Sequence, residues 1–395
     1  MSFKMPSFNE LNNTQKVIIN LLPKSNKLAV IGGPGTGKTI IALQAAAIMA
    51  KSGKKCLILS YSKTLKSYIA NVAKEYKMDI SNITINTYHS WFWSLLKNDF
   101  EIENPAELQE TPFVYDLKKL MPLINQFNFS NYDKYDYMFI DEAQDVQDGL
   151  IKIFARFCKK ILVTFDDSQK IGNESGDSVL SYDHSNILTD LMIGDQFFDL
   201  IDNYRNTAQV ETAARLLFNS YDTNEVTLNK VTANRVGKKP RLLISKDDSY
   251  EKIAKFIVEH YDASKSIGIF YSQEAEDHGR KIFDSVKAAI QSELKKANIN
   301  ARLLYKFGKT NIDDSNATSN NIFLVSLKTS KGLEFDDVYV LTEDISIDNY
   351  QKKNLLYVAF TRSKSMTNII LQTNTNQEIK NILVNNKYLF EQAEL

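Results

Sequence analysis

Short apolar runs rich in β-branched residues alternate along the chain with longer stretches of helical periodicity. In the first half, such runs predict strands at residues 27–32, 55–61, 83–88, 135–141 and 160–166. In the second half, they predict strands at residues 241–245, 267–272, 322–327, 337–342 and 368–373. Because strands that alternate with helices form βαβ units, this pattern predicts two parallel α/β sheets, one after the other.

Helical patterns separate several of these strands, at residues 39–51, 248–261 and 274–296. The two series of strands meet near residue 200, and a chain of 395 residues is long enough for two domains with separate cores. We therefore expect one domain over residues 1–200 and a second over residues 201–395.

Composition and charge narrow the class of protein. Lys and Arg number 48, as do Asp and Glu, so no overall field attracts a polyanion, although a local basic groove stays compatible with this balance. No apolar run approaches about 18 residues, and the first ten residues lack a signal-peptide hydrophobic region. We expect a cytoplasmic protein without membrane contact, with Cys56 and Cys158 as reduced core residues.

Residues 32–39 read GGPGTGKT and fit the P-loop pattern G-x-x-x-x-G-K-[ST], between a predicted strand and a predicted helix. The residues predicted to surround the phosphates of ATP or GTP are Gly32, Gly33, Pro34, Gly35, Thr36 and Gly37. The start of the helix adds partial positive charge. Lys38 is expected to reach the terminal phosphates, and the Thr39 hydroxyl to hold Mg²⁺.

Two further strands end in polar residues. YMFIDEAQD (137–145) delivers Asp141 to a sheet edge as a second Mg²⁺ ligand, and Glu142 as a general base for the attacking water. The alternative is a solvated acidic turn. In LVTFDDSQK (162–170), Gln169 is a candidate γ-phosphate sensor, although Asp-Asp-Ser-Gln is also ordinary turn chemistry.

Candidate positive charge for phosphoryl transfer comes from Arg205 in LIDNYRNT (200–207) and Arg362 in NLLYVAFTRSK (354–364). Either arginine is alternatively a surface or helix-capping residue. In LKTSKGLEFDDVYV (327–340), Glu334 is a candidate carboxylate at a cleft, and a plain loop before a strand is the alternative.

Taken together and in this order, the motifs resemble those of superfamily 1 helicases, most closely the UvrD/Rep/PcrA-like branch. The segments that carry the resemblance, which runs from residue ~11 to ~365, are GGPGTGKT, SYSKTL (60–65), NTYHSWF (86–92), DEAQD, FDDSQK, NYRNT, SLKTSKGLEF (326–335) and LLYVAFTRS (355–363). The resemblance implies two RecA-like parallel-sheet lobes in tandem with an ATP site at their interface. It also implies an ATP- and Mg²⁺-dependent helicase or translocase that moves 3′→5′ on single-stranded DNA, with RNA as a less favoured substrate.

The resemblance also implies roles for individual residues. In the ATP site, Gln15 would read the adenine edge, Tyr204 would stack on adenine and Glu334 would contact the ribose. Arg205 and Arg362 would be arginine fingers, and Gln169 would couple the γ-phosphate to the DNA groove. The residues that would grip single-stranded DNA are Tyr61, Thr87, His89, Ser326 and Lys328. For Trp91 and Trp93 we expect core positions.

Three departures from the family pattern keep alternatives open. The segment that follows FDDSQ (165–169) reads KIGNESGDS, without the aromatic residue and the arginine that are usual in this branch of the family. Lys328 stands where the branch usually has a histidine. The insertion that corresponds to accessory domain 1B covers only about residues 94–134, and there is no room for a full 2B domain. One alternative is a partner-dependent regulatory ATPase that acts with a nuclease or repair protein, in DNA repair or antiviral defence. Another is a nucleotide-binding protein without motor activity.

Overall fold

The computed structural model of the chain describes residues 6–60, 81–129, 132, 134–169, 184–194, 197–219, 231–272, 276–305, 321–345 and 350–395. The chain divides into two compact units. The N-terminal unit comprises Lys4–Ile201 with Asn229–Val231, and the C-terminal unit comprises Asp202–Leu228 and Thr232–Leu395 with Met1–Phe3.

The N-terminal unit is built on a six-stranded parallel sheet. Its strands, with a separate hairpin of β4 and β5, are β1 (Lys27–Gly32), β2 (Cys56–Ser60), β3 (Ile83–Thr87), β4 (Gln109–Thr111), β5 (Val114–Tyr115), β6 (Tyr137–Ile140), β7 (Lys160–Phe165) and β8 (Phe197–Leu200). Its helices are α1 (Asn13–Leu21), α2 (Lys38–Lys51), α3 (Tyr88–Asn98), α4 (Leu117–Gln126), α5 (Leu150–Phe154) and α6 (His184–Asp190).

The strand order in this sheet is β3-β2-β6-β7-β1-β8. The four central strands are buried along most of their length, as expected for a parallel sheet with helices on its faces. One core cluster joins Leu57 and Leu59 of β2 to Phe92 of α3 and Phe154 of α5. Because β6, β7 and β1 are neighbours, the residues that follow them meet at one edge of the sheet.

The C-terminal unit contains a seven-stranded parallel sheet in the order β13-β14-β12-β15-β16-β11-β17, and a parallel pair of β9 and β10. Its strands are β9 (Asp202–Thr207), β10 (Thr232–Arg235), β11 (Arg241–Ile244), β12 (Ile267–Tyr271), β13 (Arg302–Tyr305), β14 (Asn321–Ser326), β15 (Phe335–Leu341), β16 (Ser363–Leu371) and β17 (Glu391–Glu394). Its helices are α7 (Ala208–Asn219), α8 (Tyr250–Glu259), α9 (Glu276–Lys296), α10 (Tyr350–Phe360) and α11 (Gln377–Asn385).

Both units are therefore mixed α/β with parallel sheets, so the expected fold class is confirmed. All ten strands expected from the apolar runs are present, and their ends differ from the expected ones by at most five residues. Trp91 is buried, as expected, but the prediction for Trp93 is wrong, because its side chain is 37% exposed. Side chains two positions apart on a helix point to nearly opposite sides, so only Trp91 lies on the core face of α3.

Two other expectations concern cysteines and membranes. Cys56 is buried and Cys158 is half-buried, and both are free thiols. Among the described residues, the helices are too short or too polar to span a bilayer.

Candidate nucleotide-binding site

The P-loop leaves the buried strand β1 and enters helix α2 at Lys38. Gly35 and Gly37 have φ angles of 73° and 91°, a left-handed conformation that favours glycine. A side chain at Gly37 would also collide with Gln15, whose Nε2 would lie 2.7 Å from the added Cβ. The tight turn therefore depends on glycine at these two positions.

Lys38 is buried at the start of α2. Its Nζ donates hydrogen bonds to the carbonyl oxygens of Gly32 at 2.7 Å and Gly33 at 3.1 Å. The same ammonium lies 3.7 Å from the buried carboxylate of Asp166 at the end of β7. The structure thus places one cation directly under the phosphate loop, held by two loop carbonyls and one acid.

Thr39 and Asp141 form an oxygen pair beside Lys38. The Thr39 hydroxyl donates to Asp141 Oδ2 at 2.5 Å, and the Thr164 hydroxyl of β7 donates to Asp141 Oδ1. Burial, followed by the nearby negative charge of Glu142, raises the pKa of the Asp141 carboxyl, while the hydrogen bonds from Thr164 and Thr39 and the charge of Lys38 lower it. A cation would favour the ionised form of this buried acid.

A hydroxyl and one carboxylate suit Mg²⁺, which usually binds a few protein oxygens together with water and substrate phosphates. Within the described residues, no group of three or more His, Cys, Asp or Glu side chains could hold a metal without such help. The donor set at Thr39 and Asp141 therefore fits a Mg²⁺ ion that binds together with a nucleotide.

Glu142 follows directly and has a left-handed backbone, with φ of 57°. Its carboxylate accepts a hydrogen bond from Gln144 Nε2, and Gln144 Oε1 accepts one from the Asp166 backbone N–H at 3.1 Å. The Gln169 side chain in turn donates to Asp166 Oδ2. The structure therefore brings Lys38, Thr39, Asp141, Glu142 and Gln169 together at one sheet edge.

Gln15 lies near the start of α1 and is buried. Its Oε1 accepts from the Asn12 backbone N–H at 3.1 Å, and its Nε2 donates to the Thr36 carbonyl at 3.2 Å. The side chain thus links the beginning of α1 to the P-loop. An adenine-reading role for Gln15 stays a prediction.

In the C-terminal unit, Arg205 forms an ion pair with Glu334. Arg205 Nε lies 2.8 Å from Glu334 Oε1, and Nη2 also contacts this oxygen. Burial opposes ionisation of Glu334, but the positive charges of Arg205, Lys364 and Arg362 outweigh it and lower the pKa of this carboxyl to about 2. Two of the predicted ATP-site residues are therefore paired within one unit.

Arg362 lies between α10 and β16 and is 2% exposed, with Nε donating to the Val358 carbonyl at 3.0 Å. Its own carbonyl accepts from the Phe335 N–H at 3.0 Å, which joins it to β15. Tyr204, by contrast, is 50% exposed. Its stacking on adenine stays a prediction.

The predicted DNA contacts show mixed surroundings. Thr87 and Ser326 are buried, and their hydroxyls form local hydrogen bonds. Thr87 caps α3 by accepting from the Ser90 backbone N–H at 3.2 Å, and the Ser326 hydroxyl donates to that of Thr329 at 3.0 Å. Lys328 is exposed. Tyr61 lies outside the described residues.

His89 packs between two aromatic rings, with centroids 3.9 Å from Tyr88 and 5.0 Å from Phe113. Burial lowers the pKa of His89 to about 4, so the imidazole is neutral at pH 7. Its Nδ1 has no hydrogen-bond partner among the described residues. A neutral ring can stack or hydrogen-bond, but it supplies no charge for a phosphate.

Three residues at this site were not identified from the sequence: Thr164, Asp166 and Gln144. Both Thr164 and Asp166 stand inside LVTFDDSQK. Thr164 interrupts an otherwise apolar strand and Asp166 follows that strand directly, and these positions were an available signal. Gln144 lies inside DEAQD without a comparable signal. Its partner after β7, the Asp166 N–H, becomes visible only in the folded chain.

The ion pair of Arg205 and Glu334 predicts a pH-dependent stability. Because the folded pKa of Glu334 is about 2 and the usual value is 4.5, its contribution is full above about pH 5 and falls as the pH drops toward 2. We expect Glu334→Gln to be less stable than wild type by up to about 3 kcal/mol at pH 7, with a gap that narrows on acidification. Urea denaturation at pH 7, 5, 4 and 3 measures it.

Glu259→Gln is the control for this experiment, because Glu259 is exposed and forms only a 3.8 Å surface pair with Lys255. Its unfolding free energy should follow that of wild type across the same range. A Glu334→Gln gap that stays constant from pH 7 to pH 3 would contradict the expected pKa.

Comparison with known families gives two matches. The family model described as an AAA domain matches residues 15–173, which contain the P-loop and the residues after β6 and β7. The model described as a UvrD-like helicase C-terminal domain matches residues 321–370, which contain Glu334 and Arg362.

Searches among curated proteins found no match. Among solved structures, the C-terminal domain of a possible DNA helicase from Lactobacillus plantarum WCFS1 is similar at 14% identity and a TM-score of 0.32. The similarity covers 48% of this chain and 98% of that one.

Proposed function

The chain belongs to the UvrD-like superfamily 1 helicases, which hydrolyse ATP, and we propose that it uses this hydrolysis to move 3′→5′ along single-stranded DNA. The observation that carries the proposal is the cluster of Lys38, Thr39, Asp141 and Glu142 at one edge of a parallel sheet. Such a cluster contains the cation, the metal-binding oxygens and the base that phosphoryl transfer needs.

In this proposal the P-loop holds the phosphates of ATP, and Lys38 turns from the loop carbonyls to the terminal phosphate. Thr39 and Asp141 hold Mg²⁺, which when bound neutralises charge on the phosphates. Glu142 orients the attacking water and accepts its proton.

Residues of the C-terminal unit contribute stacking and charge in the same proposal. Tyr204 stacks on adenine, and Glu334 keeps Arg205 in place until ATP binds. Arg205 and Arg362 then stabilise the charge that develops on the transferred phosphoryl group. ATP binding and product release thereby change how each unit holds the DNA strand.

The test measures ATP hydrolysis and strand displacement by the isolated chain at low salt. We expect single-stranded DNA to stimulate hydrolysis more than duplex DNA or RNA, and duplexes with a 3′ tail to be unwound in preference to those with a 5′ tail. Absence of both DNA stimulation and translocation would contradict a motor, and a preference for 5′ tails would contradict the polarity.

A second candidate is a regulatory ATPase that needs a nuclease or repair protein as its partner. It is favoured by the small insertion between α3 and β6, whose described residues form the β4–β5 hairpin, a short 3-10 turn and α4. With so little accessory structure, unwinding could depend on another protein. DNA-stimulated hydrolysis without strand displacement, restored by a neighbouring gene product, would support this candidate. Efficient unwinding by the chain alone would exclude it.

Phe113 at the tip of the β4–β5 hairpin is a further candidate DNA contact. Its side chain is 61% exposed although it is aromatic, its backbone φ is 70°, and its ring lies 5.0 Å from that of His89. Exposed aromatic rings bind single-stranded DNA by stacking on bases, at about 1–3 kcal/mol per base. We expect Phe113→Ala to weaken single-stranded DNA binding by about 5- to 150-fold, measured by fluorescence anisotropy.

Tyr388→Ala is the matched control, because Tyr388 is equally exposed, at 62%, and belongs to the other unit. Its DNA affinity should be that of wild type. Phe113→Trp should preserve binding, since stacking needs only an aromatic face. Equal affinities of wild type and Phe113→Ala would remove Phe113 from the interface.

A further inference from the structure

Gln144 connects two parts of the candidate site. It lies in the 3-10 turn Ala143–Asp145 and is 2% exposed. Its Nε2 donates to Glu142 Oε2, while its Oε1 accepts the Asp166 backbone N–H at 3.1 Å. Both ends of this amide are therefore bonded, one to a carboxylate after β6 and the other to the main chain after β7.

Asp166, whose backbone N–H donates to Gln144, also has several contacts through its side chain. Its fully buried carboxylate accepts from Gln169 Nε2 and from the Ser168 backbone N–H at 3.1 Å, and it lies 3.7 Å from Lys38 Nζ. A displacement of the Asp166 carboxylate would therefore disturb its contacts with Gln169 and with Lys38 at the same time. Gln144 ties the Asp166 backbone to Glu142.

The backbone at Glu142 gives a second reason why this residue needs support. Its φ of 57° is left-handed, a conformation that side chains other than glycine and asparagine rarely adopt. Such conformations persist when surrounding contacts hold them, and they cluster at functional sites. The hydrogen bond from Gln144 is one contact that holds the Glu142 side chain.

We propose that Gln144 is a positioning residue for ATP hydrolysis, which holds the Glu142 carboxylate toward the attacking water and links it to the turn that carries Gln169. This inference rests on the proposed role of Glu142 as the base. The side chain must be an amide, because one end donates to a carboxylate and the other accepts from an N–H. Leucine provides neither group, and glutamate provides only the acceptor.

The first measurement separates kcat from KM for DNA-stimulated ATP hydrolysis. We expect Gln144→Leu to lower kcat about 10²-fold with little change in KM for ATP, because small displacements of a catalytic group cost about this much. Gln144→Glu keeps the bond to Asp166 but places a like charge beside Glu142, so it should lose kcat as well. Normal kcat in either variant would overturn the proposal.

Gln147→Leu is the matched control for the loss of a buried amide. Gln147 lies three residues further on, is buried, and bonds the Tyr115 backbone N–H and carbonyl at 2.7 Å each. The two leucine variants should have similar thermal midpoints, but Gln147→Leu should keep kcat. Equal loss of kcat in both variants would show a general effect of destabilisation and overturn the proposal.

A double-mutant cycle with Glu142→Gln tests whether Gln144 acts through Glu142. In the Glu142→Gln background, Gln144→Leu should lower kcat no further than about twofold, since the group that it positions is already inactive. An additional loss near 10²-fold would mean that Gln144 acts independently of Glu142. If Glu142→Gln alone keeps full kcat, the proposed role of Glu142 fails; if only Gln144→Leu keeps it, the positioning role fails alone.

Discussion

Glu142→Gln should bind ATP with near-normal affinity and lower kcat for DNA-stimulated hydrolysis by about 10²- to 10⁴-fold. The amide keeps the size of the side chain and can still accept a hydrogen bond, but it cannot take a proton from water. The substitution leaves Lys38 and Thr39 unchanged, and these residues are the proposed contacts to the phosphates and to Mg²⁺. ATP binding should therefore persist, and the loss should fall on the chemical step. Stopped-flow binding of a fluorescent ATP analogue, with steady-state phosphate release, separates the two effects.

Glu107→Gln provides the control for this substitution, because Glu107 is an exposed carboxylate in the turn Pro105–Leu108 of the same unit. Its kcat should equal that of wild type. Two further observations are expected if Glu142 is the base: ATP should remain uncleaved on the variant after long incubation, and single-stranded DNA should no longer accelerate phosphate release. Turnover at the wild-type rate would remove Glu142 from the mechanism.

The strands and the phosphate loop could be predicted from sequence because their signals are local. A buried parallel strand is apolar along its length, as β2 and β6 are, and a P-loop has glycine where the backbone turns left-handed, as at Gly35 and Gly37. These patterns require no knowledge of which other segments pack nearby. The α/β class follows from them directly.

The surroundings of polar side chains could not be predicted in the same way. Thr87 and Ser326 occupy motif positions, yet in the folded chain their hydroxyls bond to the turns that they begin. Ser, Thr, Asn and Asp readily form such local bonds, so the residue type alone does not distinguish a cap from a DNA contact. Lys328, by contrast, is exposed.

Long-range pairs were also beyond the sequence. The carboxylate of Glu334 is bonded to Arg205, 129 positions away, and Gln144 meets Asp166 across two neighbouring strands. The distance along the sequence does not predict such contacts. The contact between Gln144 and Asp166 follows from the pairing of β6 with β7, which is a property of the folded sheet. The hydrogen bonds that link Gln144 to Glu142, the proposed base, and to Asp166 could therefore be recognised only after the strands were placed.

The second large effect is expected for Arg362→Ala, which should retain ATP binding and lower kcat by about 10³- to 10⁵-fold, as removal of an arginine finger does. Arg362 has the buried position and the fixed Nε contact to Val358 that hold a guanidinium in one orientation. Arg362→Lys should remain strongly impaired, because a lysine has the charge without the planar donors. Single-turnover hydrolysis under saturating ATP and single-stranded DNA measures the effect.

Because Arg362 is buried, loss of folding must be separated from loss of catalysis. Arg280→Ala is the control, since Arg280 is an exposed arginine of α9 in the same unit, paired with Asp284 at 3.0 Å. Thermal unfolding and the affinity for an ATP analogue should be compared for all variants, and Arg362→Lys keeps the test meaningful if Arg362→Ala unfolds. A folded Arg362→Ala or Arg362→Lys protein with wild-type kcat would show that Arg362 does not supply this charge. Hydrolysis would then depend on the N-terminal unit together with Arg205 or a group from a partner protein.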